Sequence, residues 1–154
     1  MVWVLAIVCA ILLLGISVLI HFECLAVLQG VIRRFRSSRC QIITLMVGLL
    51  IAHIVEIWVY AGTYYLLIQF PEFGAIQAAS NGPHTIFDLV YFSAMVYTTV
   101  GFGDMVPTGG FRLITATEAL VGLSLIAWSA SFTYFQLHDQ FGRDRNDENR
   151  AGDG

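Results

Sequence analysis

Residues 98 to 104 read Thr98-Thr99-Val100-Gly101-Phe102-Gly103-Asp104. Glycine alone adopts left-handed backbone angles without steric cost, and here Gly101 and Gly103 alternate with Val100 and Phe102. All the carbonyls of such a run can face one way. The Thr99 hydroxyl adds an oxygen at the inner end, the side chains of Val100 and Phe102 are expected to pack outward against a preceding short helix, and Asp104 closes the outer end. Irregular backbone of this kind exists at membrane depth only where protein buries it or where it lines a water-filled cavity.

Working outward, membrane segments flank the strip on both sides. Upstream, Thr85 followed by Asp88 reads as a capping-box helix start, so a pore helix is predicted over 85–98, too short to cross a bilayer that needs about 20 residues. Before it, residues 71–84 hold Glu72, Gly74, Gln77, Ser80, Asn81 and Gly82, a polar, turn-prone exposed turret. Residues 41–70 form a second apolar helix and, beyond Pro107, residues 111–137 a third, which the resemblance named below implies to be the outer and inner helices. Nearer the start, Arg33, Arg34, Arg36 and Arg39 fall in a basic linker, 26–40. The first 25 residues read as one more span, Val2 to His21 carrying no charge. They lack the basic start and small-residue cleavage site of a signal peptide, so the helix is expected to remain. The tail, 138–154, is charged and glycine-rich and is expected to be disordered. Short basic loops stay cytoplasmic, which places the amino terminus outside and the carboxyl terminus in the cytoplasm, in the plasma (inner) membrane.

Composition agrees. The chain of 154 residues is 57% hydrophobic and 12% charged, has no lysine, and carries a formal net charge of −3. Nothing in it points to a nucleic-acid partner, a soluble ligand-binding domain, a cofactor or an enzyme. Cys9, Cys24 and Cys40 match no zinc or redox spacing and read as reduced packing residues.

The run from Tyr91-Phe92-Ser93 to Asp104 resembles the pore loop of the two-transmembrane-type (pore-domain) potassium channel family, bacterial members included, with one extra N-terminal transmembrane helix here. The resemblance covers about residues 42 to 137. It implies an all-α membrane protein of three transmembrane helices plus a re-entrant pore helix and selectivity-filter loop, assembling with three further copies as a homotetramer around a central pore. Potassium is then the permeant ion. Its sites would be the backbone carbonyls of Thr99, Val100, Gly101 and Phe102 with the Thr99 hydroxyl, because rings of such oxygens replace the ion's hydration shell. Gly103 completes the filter and Asp104 stands at the outer mouth. Two departures bear on filter stability and inactivation: Phe102 replaces the commoner tyrosine, and Met95 stands where several bacterial members place a glutamate.

Gating residues are less sharply marked. Gly122 lies near the family's inner-helix hinge, although glycine in a membrane helix serves close packing as often as bending. Leu123, Ile126, Ala130 and Tyr134 then follow on one face as cavity or gate residues. Arg33, Arg36 and Arg39 repeat every third residue, but Arg34, Ser37 and Ser38 lie between them where a voltage sensor needs apolar residues. No such sensor is expected. His53, Glu56 and Tyr60 share a face of the outer helix and Glu118 lies in the inner one, either as a pH-responsive group or, as favoured, a hydrogen-bonded lock between helices. One His and one Glu are too few ligands for a metal enzyme, and His21 and His84 are expected near interfaces without special roles. Two rivals to potassium selectivity stay open, a weakly selective cation channel and a non-conducting regulatory or structural membrane subunit.

Overall fold

A computed structural model of the protein describes residues 2–35, 37–78 and 84–152, with side chains as far as His138. Arg36 and the turret residues Ser80, Asn81 and Gly82 lie outside the described residues. Three long apolar helices dominate: α1 (Val2–Ile32), α2 (Ser38–Leu67) and α4 (Phe111–Gly152), with the short α3 (Ile86–Tyr97) between the last two. In lipid every backbone polar group needs an internal partner, which helices supply. At roughly 1.5 Å per residue the 31 residues of α1 reach about 46 Å, longer than a hydrocarbon core of about 30 Å.

Many large apolar side chains face outward and several polar ones face inward, as suits a bundle in lipid. Trp3, Ile11, Leu12, Leu19, Leu50 and Leu120 stand exposed, while Ser17, His21, Glu56, Ser93, Glu118 and Ser129 are buried. Apolar side chains gain nothing by leaving lipid, so polar ones gather between the helices. On α1 the buried positions Ala6, Ala10, Leu13, Ser17, His21, Leu25, Leu28 and Ile32 recur at steps of three or four and make a single stripe. That stripe packs against both α2 and α4. Two apolar clusters hold the bundle. One gathers Tyr60, Tyr64, Phe73, Leu89, Phe92 and Phe111; the other gathers Leu25, Leu28, Ile32, Leu45 and Leu49. His21, His53 and Glu56 fall between these clusters along the chain.

Several sequence boundaries shift. The first helix continues to Ile32 rather than ending near 25, because Leu25, Leu28 and Ile32 extend its buried stripe onto Leu45 and Leu49. Most of the expected linker 26–40 is therefore helical. The last helix continues through Gly152 where disorder was expected after 137; a helix nucleated upstream adds one hydrogen bond for each further residue it fixes.

The turret is also more structured than its composition indicated. Pro71–Phe73 form a 3-10 turn, and β1 (Ile76–Ala78) pairs antiparallel with β2 (Met105–Pro107), Gln77 opposite Val106. Phe73 and Ile76 are buried, Phe73 edge-on against Phe111 at 5.0 Å between ring centroids. Thr108 clamps the pair by donating its amide to Ala75 O at 2.8 Å and accepting from Ala75 N at 2.9 Å. The ends of the loop that carries the glycine strip are thereby fixed.

Candidate functional site

The strip runs from the end of α3 to β2. Its φ angles alternate in sign: Thr99 at 60°, Gly101 at 53° and Gly103 at 79°, with Val100 and Phe102 between them on the negative side. Successive residues of opposite handedness turn successive peptide planes the same way. Gly101 and Gly103 adopt these angles freely, but Thr99 is β-branched and at φ 60° is strained by about 1–3 kcal/mol. Such strain persists only where the surroundings impose it. Here Thr99 N donates to Val96 O at 2.9 Å and Gly101 N to Met95 O at 3.1 Å, which pins the strip to the last turn of α3.

The helix α3 begins as its sequence indicates. Thr85 accepts from the Asp88 amide at 3.3 Å, and Asp88 Oδ2 accepts from the Thr85 amide at 2.7 Å. These bonds, the Thr85 amide first and its hydroxyl second, hold the Asp88 carboxyl below the usual carboxylate range. At the other end of α3 the aligned peptide dipoles leave about half a negative charge beside the base of the strip. Tyr91, one face up, donates its phenol to Asp104 Oδ2 at 2.9 Å. Desolvation, and then the Asp104 carboxylate, raise the Tyr91 phenol above its ordinary pKa.

The side chains of Val100 and Phe102 are 53% and 71% exposed in the single chain. Beside the strip opens a cavity of about 490 Å³ lined by Met95, Val96, Thr99, Pro107, Arg112 and Ala116, among others.

Gly122 lies against the end of α3. A Cβ there would run into the carbonyl of Tyr97 and stand 2.9 Å from its Cγ, so close packing accounts for the glycine. Leu123, Ile126, Ala130 and Tyr134 are all exposed on α4. Glu118 is fully buried and accepts from Ser93 on α3 and from Tyr64 on α2, both at 2.5 Å. It joins three helices.

His53 and Glu56 come together, and His21 joins them. The expectation that His21 sits idle near an interface is corrected: it is fully buried, on the α1 stripe that packs against both α2 and α4. Its Nδ1 lies 3.0 Å from Glu56 Oε1, while His53 Nδ1 lies 3.3 Å from Glu56 Oε2 and 2.9 Å from the Tyr97 hydroxyl. Tyr97 also donates to Glu56. Ser129 Oγ on α4 lies 3.1 Å from Nε2 of both rings. Tyr60 is buried, yet its hydroxyl and that of Ser17 make no hydrogen bond among the described residues. His84, outside this layer, holds Ile76 O at 2.6 Å. Sequence reasoning missed Tyr97 and Ser129, whose local context is an ordinary apolar helix.

Three long apolar helices, the short α3 between the last two and the loop of alternating φ signs that follows it frame an integral membrane protein of the channel class. The chain belongs to the ion channel family, which it matches over residues 52–135, from the middle of α2 to near the end of the apolar part of α4. It is also 26% identical over 103 residues to the uncharacterized membrane protein YdjJ of Bacillus subtilis (strain 168), a match taking in 65% of this chain and 30% of that protein. The chain thus spans less than a third of that relative's length. No solved structure matches it.

Proposed function

We propose that the protein is a potassium-selective channel in which four copies of the strip surround one axis, the carbonyls of Thr99, Val100, Gly101 and Phe102 taking the place of the ion's water. The alternating φ signs from Thr99 to Gly103 support this reading, since such alternation suits consecutive carbonyls facing one way. The exposed Val100 and Phe102 then find cover on neighbouring copies, for which the cavity lined by Met95 and Arg112 is a suitable seat. Four α3 ends favour a cation on the axis, and four Asp104 carboxylates concentrate cations at the mouth. Leu123, Ile126 and Tyr134, exposed on α4, line the inner cavity. The arginines around the α1–α2 loop put that loop in the cytoplasm, with the amino terminus outside and α4 ending inside, in the plasma membrane.

The test is the reversal potential of purified protein in a planar bilayer with potassium on one side and sodium on the other, beside a Gly101→Ala control. Alanine at φ 53° costs roughly 1–2 kcal/mol and disturbs the carbonyl line. A potential near the potassium equilibrium value, lost in the control, is the expected result. A potential near zero refutes selectivity, and absence of current at every voltage and pH refutes conduction.

A further inference from the structure

The layer that joins His21, His53, Glu56, Tyr97 and Ser129 contains more polar contacts than hydrogens to fill them. With neutral imidazoles there is one hydrogen on each ring, one on Ser129 and one on Tyr97. Ser129 Oγ faces both Nε2 atoms at 3.1 Å and has a single hydrogen to give, so at least one ring must donate to it through Nε2. That ring turns a bare Nδ1 lone pair toward the Glu56 carboxylate. If both rings donate to Ser129, both Nδ1 lone pairs point at Glu56, from 3.0 and 3.3 Å. Lone pair against carboxylate, buried in low dielectric, is relieved by a second ring proton, by the Tyr97 hydroxyl at 2.9 Å from His53 Nδ1, or by a metal ion between the ligand atoms.

We propose that this layer is a binding site for a divalent transition metal ion of the zinc class, with His21 Nδ1, His53 Nδ1 and a Glu56 oxygen as ligands. The three atoms all lie within 4.8 Å of one another. Ligand atoms at about 2.0–2.1 Å from a tetrahedral zinc stand about 3.3 Å apart, close to the 3.0 and 3.3 Å seen between the nitrogens and Glu56. Two imidazoles and one carboxylate suit zinc, cobalt and nickel, whereas magnesium and calcium take oxygen ligands. The fourth position faces the Tyr97 hydroxyl, 2.9 Å from His53 Nδ1. Ser129 supplies what metal-binding histidines require at their far nitrogen, a partner that fixes tautomer and ring orientation.

The ligands come from separate helices: His21 from α1, His53 and Glu56 from α2, with Tyr97 of α3 at the fourth position and Ser129 of α4 behind. A bound ion would tie all four together at the residue that precedes the strip by two positions. The sequence alone offered only His53 and Glu56 at helical spacing; packing α1 into the bundle adds the third ligand.

The test uses the full chain purified in detergent, stripped with EDTA, equilibrated with zinc, desalted, and analysed for metal per chain. Cobalt loaded in place of zinc reports coordination through its visible absorption. The site predicts about one ion per chain and a cobalt spectrum of low coordination number. His21→Gln and His53→Gln, with helicity checked by circular dichroism, should fall to background. Ser129→Ala should weaken affinity roughly tenfold or more, while His84→Gln and His138→Gln should bind as the wild type does. Background metal in the wild type overturns the assignment without reference to any variant's folding, and full binding in folded His21→Gln and His53→Gln overturns it equally. Because the readout is metal content, it stands apart from conduction: failure to select potassium leaves it untouched.

Discussion

Gly122 on α4 packs directly on the backbone carbonyl of Tyr97, the last residue of α3. The end of α3 is thereby set by contact with α4 at a place where no side chain fits. Gly122→Ala forces the two helices apart and should cost about 1–3 kcal/mol as overpacking, read as a lower unfolding midpoint in detergent. Gly15, which has nothing within 4 Å of an added Cβ, provides the contrast. Gly15→Ala should leave the midpoint unchanged or raise it by about 0.5–1 kcal/mol equivalent.

The start of α3 depends on one side-chain pair. Thr85→Ala removes the cap and should cost about 0.5–2 kcal/mol. Asp88→Asn should also destabilise, with a pH signature that identifies the cause. The Asp88 carboxyl is held below its ordinary pKa of 3.8, so its contribution is present above that pH and is lost as pH falls through the lowered value of the folded state. The gap between wild type and Asp88→Asn should therefore be constant near neutrality and close in acid below about pH 4.

The bond from Tyr91 to Asp104 spans the outer end of the strip at 2.9 Å. Tyr91→Phe deletes that hydroxyl and leaves the strip held mainly from its inner end by Val96 and Met95 carbonyls. Current through the variant should decay faster during sustained opening, with reversal potential unchanged. Because the phenol is raised above its ordinary 10.0, the bond is fully present below pH 10 and is lost as pH rises through the folded-state value. Wild-type current should approach the decay of Tyr91→Phe in that alkaline range, and a wild type insensitive there would count against the bond.

Local pattern made the frame of the molecule readable. The three spans, the Thr85–Asp88 start of α3 and the alternation around Gly101 and Gly103 are each written within a few consecutive residues. What escaped depends on residues far apart in the chain. Ile76 reads as turret until Pro107 lies opposite it; His21 reads as an interfacial histidine until α1 packs on both α2 and α4. Tyr97 and Ser129 carry no signal in their own helices, and their roles arise only where four helices meet. Gly122 was visible as an anomaly, but its partner, the Tyr97 carbonyl, was not.

Thr99 offers the sharpest link between strain and function. Its φ of 60° is one a β-branched residue adopts at a cost of about 1–3 kcal/mol, whereas glycine meets no such penalty and loses about 0.5–1 kcal/mol to entropy. The balance predicts that Thr99→Gly unfolds no lower than the wild type and by up to about 2.5 kcal/mol higher. On the proposed reading selectivity should move the other way, because the variant lacks the hydroxyl proposed as the innermost ion ligand. Its reversal potential should therefore shift from the potassium value toward zero even as its unfolding midpoint holds or rises. Conformational cost at this position would then be retained for the oxygen that threonine brings. A variant that loses stability while keeping full selectivity would place the role of Thr99 in packing instead.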